Sequence, residues 1–295
     1  MAGYGRQVRR DRAPRVVLDV PITFGVGTEV THVPMVEATV RGVATKLILD
    51  TGSSDHVFTR ELADRAGLPS EPGEPGIDAT GGSVPSWMLG ELSVDIGQQS
   101  FPLRDVVAID GPPPFEGWGV GGFLSPQHLD PTAWVVLDLV ADRLVLLDGD
   151  EREVAAWLAV RSPASQPIRL ERLAGDATIL VRVAVAPFDP VVTLLDSGGK
   201  STEFVATAVP GLEAGEKVAS GRGVGGGEIV GAAMDGRTLV VGGATVAAPR
   251  LIIRDAMDGH DGLVGMNVLR GTILAVRADR TEPVYWLVPR PLAGD

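Results

Sequence analysis

The sequence contains no cysteine. That excludes disulfide cross-links, thiol nucleophiles and Cys-ligated metal centres, and it leaves the cellular compartment open. Positive charge is scarce: 26 Lys and Arg stand against 38 Asp and Glu, for a net charge of −12. A phosphate backbone is bound by a basic surface, so nucleic acid is not expected as a partner. No apolar run approaches the roughly 20 residues of a membrane-spanning helix, and no membrane association is expected. The four histidines, His32, His56, His128 and His260, follow no metal-ligand spacing, so neither a metal nor any other cofactor is expected. The N-terminal arginines Arg6, Arg9, Arg10, Arg12 and Arg15 include a pair, but Asp19 and Pro21 interrupt the only candidate apolar segment of an export signal. The default expectation is therefore a basic tail on a cytoplasmic protein, or an exported one if a signal is missing from this sequence.

What the chain does have is 38 Gly and 22 Pro between short β-branched runs. Such a pattern reads as strands joined by turns, and the expected class is all-β. One run, Lys46-Leu47-Ile48-Leu49, delivers Asp50-Thr51-Gly52-Ser53-Ser54 into a turn. A second, Val192-Thr193-Leu194-Leu195, delivers Asp196-Ser197-Gly198-Gly199. After the first turn, Thr59 is placed to cap a short helix that Gly67 and Pro69 end. A hairpin tipped by Gly81, Gly82 and Ser83 follows, then an alternating strand from Leu89 to Ile96. Gly111-Pro112-Pro113-Pro114 reads as a loop, and Glu151 to Val160 as a helix.

Measured from each Asp, the later features fall in one order at nearly equal offsets. Phe58 and Phe204 each lie eight residues on, and the hairpin tips begin at Gly81 (31 on) and Gly225 (29 on), the latter followed by Gly226. Strand ends Ile96-Gly97 and Val241-Gly242 lie 46 and 45 on, and Gly121 and Gly265 lie 71 and 69 on. Each half closes with two strands about a tight turn, at Asp142-Arg143 and at Asp279-Arg280. The repeat is too long for a solenoid unit and implies two homologous lobes. The break is expected in the Pro- and Ser-containing stretch from Arg161 to Pro167, giving lobes 1–162 and 163–295. Pro210 should break the second lobe's copy of the Thr59 helix. Two stretches, 117–122 and 221–226, fit the dinucleotide pattern G-x-G-x-x-G, but neither opens an amphipathic helix and both are set aside.

Two carboxyls held face to face cannot both ionise, so the pair shares one proton. The ionised member can act as general base on a water while its protonated partner hydrogen-bonds a substrate carbonyl. Gly52 and Gly198 suit backbones that approach closely at such a pair, and the hydroxyls of Thr51 and Ser197 can tie the turns together.

With these pieces in place, the chain resembles the aspartic proteases: the retropepsin-like kind, in a single-chain, two-lobed form like that of pepsin. The resemblance rests on residues 49–54 and 195–198, the Gly-tipped hairpins, residues 56–68 and Asp261-Gly262-Leu263-Val264-Gly265-Met266-Asn267. It implies two β-barrel lobes with a cleft between them, Asp50 and Asp196 as the dyad, and hairpins near Gly81 and Gly225 that close over an extended peptide or protein substrate. Because one chain supplies both aspartates, a monomer is expected. Ser53 can hydrogen-bond the outer oxygen of Asp50, whereas Gly199 offers Asp196 no hydroxyl. Neither hairpin carries the Tyr of a pepsin-like flap, although Trp87 is near. The alternative reading is a catalytically silent member that binds peptides through the same cleft.

Overall fold

Short β-branched runs separated by glycine turns assemble into three main sheets in the computed structural model, which describes residues 13–26, 29–162, 165–170, 173, 178–212, 215–277 and 284–288. The basic residues Arg6 to Arg12 and the Asp279-Arg280 turn lie outside this set. No helix among the described residues is long and apolar enough to cross a membrane.

The first lobe is built on an eight-stranded sheet, ordered Thr23–Val26, Glu29–Val40, Val43–Leu49, Val120–Leu124, Val57–Thr59, Gln99–Ile109, Ser86–Ile96 and Glu71–Pro72. The second is a seven-stranded sheet, ordered Leu180–Val185, Val191–Leu195, Gly262–Val264, Thr202–Val205, Ala244–Arg254, Glu228–Val241 and Lys217–Arg222. Apart from the extra strand at the start of the first, the two orders are the same. Each sheet also carries one additional pairing that curls it, Glu29–Val40 with Ser86–Ile96 and Leu180–Val185 with Glu228–Val241. This is an all-β, two-lobed architecture, as the sequence implies.

Register refines the repeat. Val57–Thr59 runs parallel to Gln99–Ile109 and antiparallel to Val120–Leu124, setting Phe58 opposite Gly122. Thr202–Val205 does the same with Ala244–Arg254 and Gly262–Val264, setting Phe204 opposite Gly262. Both phenylalanines are fully buried. A Cβ on Gly262 would lie 2.6 Å from the Phe204 ring, and one on Gly122 would overlap the backbone of Val57. The structural partners are therefore Gly122 and Gly262, not Gly121 and Gly265. The crowded glycines at 117, 119, 121 and 122 hide the true register from a count along the chain.

A six-stranded sheet joins the lobes. Arg15–Pro21, Arg143–Asp148 and Trp134–Asp138 come from the first half, and Ile273–Arg277, Val284–Val288 and Ile168–Leu170 from the second. Alternate residues of its strands face different cores: Val135, Leu137, Leu144 and Leu146 enter the main one, while Trp134, Val136, Val145 and Leu147 meet Val154 and Leu158. Those last two lie on the helix Glu151–Arg161, where the Asp150 side chain accepts from the Arg152 and Glu153 N–H groups and the Glu153 carboxylate accepts from the Asp150 N–H. The stretch expected to divide the lobes begins where this helix ends.

The helix after Thr59 forms as expected over Arg60–Arg65, with Thr59 Oγ1 accepting the Leu62 N–H at 3.1 Å. In the second lobe only a 3₁₀ turn, Ala206–Ala208, precedes Pro210. The Pro-rich loop is a correction. Pro113–Trp118 is a helix, because prolines in a first turn surrender N–H groups that have no helical partner anyway. It lays Phe115 on Met35, Ile48 and Val120.

Candidate functional site

Two buried strands aim one aspartate each at the line between the lobes. The Asp50 N–H donates to Leu124 O at 2.9 Å and the Asp196 N–H to Val264 O at 3.0 Å, so each turn leaves its sheet at the same rung. Within the turns, Gly52 N–H donates to Asp50 Oδ1 at 2.9 Å, and Gly198 and Gly199 N–H donate to Asp196 Oδ1 at 2.8 Å each.

The residues after the aspartates tie the turns together. Thr51 Oγ1 donates to Leu195 O at 2.7 Å and accepts the Ser197 N–H at 3.0 Å. Ser197 Oγ donates to Leu49 O at 2.6 Å and accepts the Thr51 N–H at 3.0 Å. Four bonds therefore cross between residues some 146 positions apart, and both hydroxyl residues are fully buried. A buried network with every member satisfied is rigid. It also explains the glycines: a Cβ on Gly52 would lie 2.7 Å from Asp196 Cγ, and one on Gly198 2.5 Å from Asp50 Cγ. Neither turn can carry a side chain there without displacing the opposite carboxyl.

The two carboxyls are hydrogen-bonded to each other. Burial raises the pKa of Asp50, and bonds from Asp196 and from the Gly52, Ser53 and Gly198 N–H groups oppose that rise. Asp196 is raised well above the usual carboxylate range, by burial first, then by the charge of Asp50 and the bond to it. Both shifts run upward, the direction expected of two buried carboxyls that face each other and share one proton.

Ser53 corrects one expectation. Its hydroxyl turns away from the carboxyl and donates to Asp55 O at 2.8 Å, and only its N–H serves Asp50. Gly199 is correspondingly no deficit. Its N–H bonds Asp196 directly, and a Cβ there would sit 2.6 Å from Asp196 Oδ2. Behind the Asp50 turn, Gln127 Nε2 donates to Thr51 O at 3.3 Å and Ser53 O at 2.9 Å, and Ser125 Oγ donates to Ser53 O at 2.9 Å. Buried His56 accepts the Ser125 N–H on Nδ1; burial, then the proximity of His128, lowers its pKa to about 4.

The expected hairpin forms from Gly76–Ile77 and Ser83–Val84, with Gly81 at φ +78 and Gly82 in the turn and Ser83 exposed on the returning strand. Its counterpart joins Lys217–Arg222 to Glu228–Val241 through 223–227, with exposed Gly226 at φ +87. Trp87 is not at a tip: it pairs with Ala108 and Pro72, with the Arg60 guanidinium 4.2 Å above its ring. Sequence reasoning missed Asp78, which opens the first tip, and the bracing pair Ser125 and Gln127. A cue for Asp78 was present, since Asp-x-Thr before Gly-Gly is a side-chain-capped turn.

Residues 36–118 match the family model described as Aspartyl protease, a segment holding the Asp50 turn and the first hairpin. No curated protein matches the sequence. In three dimensions the chain is similar to the crystal structure of an aspartic proteinase from Irpex lacteus, at 12% identity and a TM-score of 0.57, over 94% of this chain and 98% of that one. The resemblance to aspartic proteases read from the sequence therefore stands, and the fold is the pepsin-like bilobal one.

Proposed function

We propose that the protein is an aspartic endopeptidase that hydrolyses peptide bonds in extended polypeptide through Asp50 and Asp196, the lobes 1–162 and 163–295 acting as one monomeric enzyme. The observation that carries this reading is the hydrogen-bonded carboxyl pair, set at matched sheet rungs and cross-tied by Thr51 and Ser197. In the proposed step, the Asp50 carboxylate takes a proton from a water whose oxygen attacks the scissile carbonyl. Asp196 gives its proton to the carbonyl oxygen, forming a neutral tetrahedral diol. The proton now on Asp50 passes to the leaving nitrogen as the C–N bond breaks, and a diol hydroxyl returns its proton to Asp196. Reset dyad and two product chains result. No group outside the pair is needed to balance the reaction.

The pH dependence follows from the raised pKa values. Activity climbs as one carboxyl ionises and falls as the second loses its proton, giving a bell whose limbs belong to the pair. The test is turnover of an unstructured protein between pH 2 and 8 (about the span in which carboxylates titrate), with and without a statine-type peptide. A bell-shaped profile abolished by the peptide is expected. Tight peptide binding without turnover at any pH would favour a silent peptide-binding module.

A further inference from the structure

The two hairpins meet. Asp78 opens the first tip and is 9% exposed. Its Oδ1 accepts the Thr80 N–H at 2.9 Å, the Thr80 hydroxyl at 2.5 Å and the Gly82 N–H at 3.1 Å, which closes the turn locally. That leaves Oδ2 free for another partner, and it accepts the N–H of Gly225, 147 residues away at the tip of the other lobe, at 2.9 Å. The second tip is itself tight, with Gly223 N–H donating to Gly227 O and Gly226 N–H to Gly223 O. Its glycines serve the contact: a Cβ on Gly223 would overlap Asp78 Oδ2, and one on Gly227 would lie 2.8 Å from Thr80 Oγ1. A second bond runs from Arg254 Nη2 to Ala79 O at 3.2 Å, with the guanidinium fixed by Glu203 at 3.1 Å. The lobes are thus tied at the dyad turns and again at the hairpin tips.

Resting on the endopeptidase reading, we propose that Asp78 is a specificity-determining latch, which joins the hairpins across the cleft so that linear, flexible chains are accepted and loops of folded proteins are refused. A free chain end can pass between the two ties. A loop held at both ends enters only if the Asp78–Gly225 bond opens. The carboxylate form suits that role: burial disfavours it, but the bonds from Thr80, Gly225 and Gly82 outweigh the penalty and lower the Asp78 pKa. A hydrogen bond to a charged group is among the stronger kinds.

Because the chain has no cysteine, Ala79→Cys with Glu228→Cys reports the tip separation by paired spin labels. A single short distance is expected with Asp78 present. Asp78→Ala should lengthen and broaden it. Gly223→Ala, which leaves the first turn intact, should do the same. The kinetic arm compares kcat/KM for a linear peptide with that for the same sequence held in a loop of a folded carrier. Losing the latch should shift this ratio toward the loop by about tenfold, the worth of one charged hydrogen bond. Unchanged label distances in both variants would overturn the latch. Changed distances with an unchanged ratio would overturn its role in selection. Loss of the endopeptidase reading would appear separately, as hydrolysis that survives Asp50→Asn, and the distance arm decides the latch in either case.

Discussion

In the first lobe the Asp50 turn is braced by side chains: Gln127 and Ser125 hold the carbonyls of Thr51 and Ser53. In the second lobe the main chain takes over, with Met266 N–H donating to Gly199 O at 2.8 Å and Asn267 N–H to Lys200 O at 3.1 Å. Thr202 Oγ1 adds a bond from the Gly265 N–H and another to Asn267 Oδ1. The same turn is therefore held rigid by two solutions. A backbone brace tolerates many side chains as long as the chain path is kept, whereas a side-chain brace depends on one residue type. The first lobe should be the more sensitive to point substitution behind the turn, and the two lobes should respond alike at the turn itself.

The largest effects are expected where the lobes are equivalent. Asp50→Asn and Asp196→Asn should each reduce kcat/KM on an unstructured substrate by about 10²–10⁴-fold, the usual scale of acid–base catalysis. Stability should move the other way. With both pKa values raised in the folded state, the native pair binds more protons than the unfolded chain. Its contribution is fully present below the ordinary value of 3.8 and is lost as pH rises through the folded-state values. Thermal melts at neutral pH should therefore show a higher Tm for Asp196→Asn than for the parent. An unchanged kcat/KM in either variant would break the equivalence.

Next come the cross-ties. Thr51→Val and Ser197→Ala each leave a buried N–H and a buried carbonyl without a partner, at a cost of about 1–3 kcal/mol by denaturant unfolding. The double variant should fall short of additivity, because each hydroxyl positions the turn that carries the other.

The asymmetric prediction is smaller. Gln127→Met should cost about 1–2 kcal/mol and reduce kcat, since two carbonyls of the Asp50 turn lose donors. Asn267→Ala should cost about 1 kcal/mol in the same assay and leave kcat unchanged, because it removes the side-chain bonds to Thr202 and Arg250 O but keeps the main-chain bonds to Gly199 O and Lys200 O. Equal losses would mean that the braces do not differ. Smallest of all is Ser53→Ala, expected within about 0.5 kcal/mol of the parent, as its hydroxyl bonds an exposed segment and not the carboxyl.

Much of this was legible in the sequence because it is local. Apolar runs ending in Asp-Thr-Gly and Asp-Ser-Gly mark strand, turn and carboxyl together, and Thr59 with Gly67 brackets a helix. Hydroxyls at 51 and 197 suggest a tie, since buried polar groups need partners. What could not be read depends on rotamer or register. Nothing in Ser53-Ser54-Asp55 tells which way the Ser53 hydroxyl turns. The Gly122–Gly262 equivalence needs the strand pairing, and the Pro113–Trp118 helix shows prolines taken by sequence for a loop serving as a first turn. Asp78 lies furthest from sequence view, because its partner Gly225 belongs to the other lobe.

The central claim is that Asp50 and Asp196 share one proton. The ¹³Cγ shifts of the two aspartates, assigned by difference against Asp50→Asn and Asp196→Asn and followed against pH, test it most directly. One carboxyl should stay protonated well above 3.8, and in either single variant the remaining Asp should titrate at a different pH. Two independent titrations near 3.8, each unmoved by replacement of the other residue, would contradict the claim.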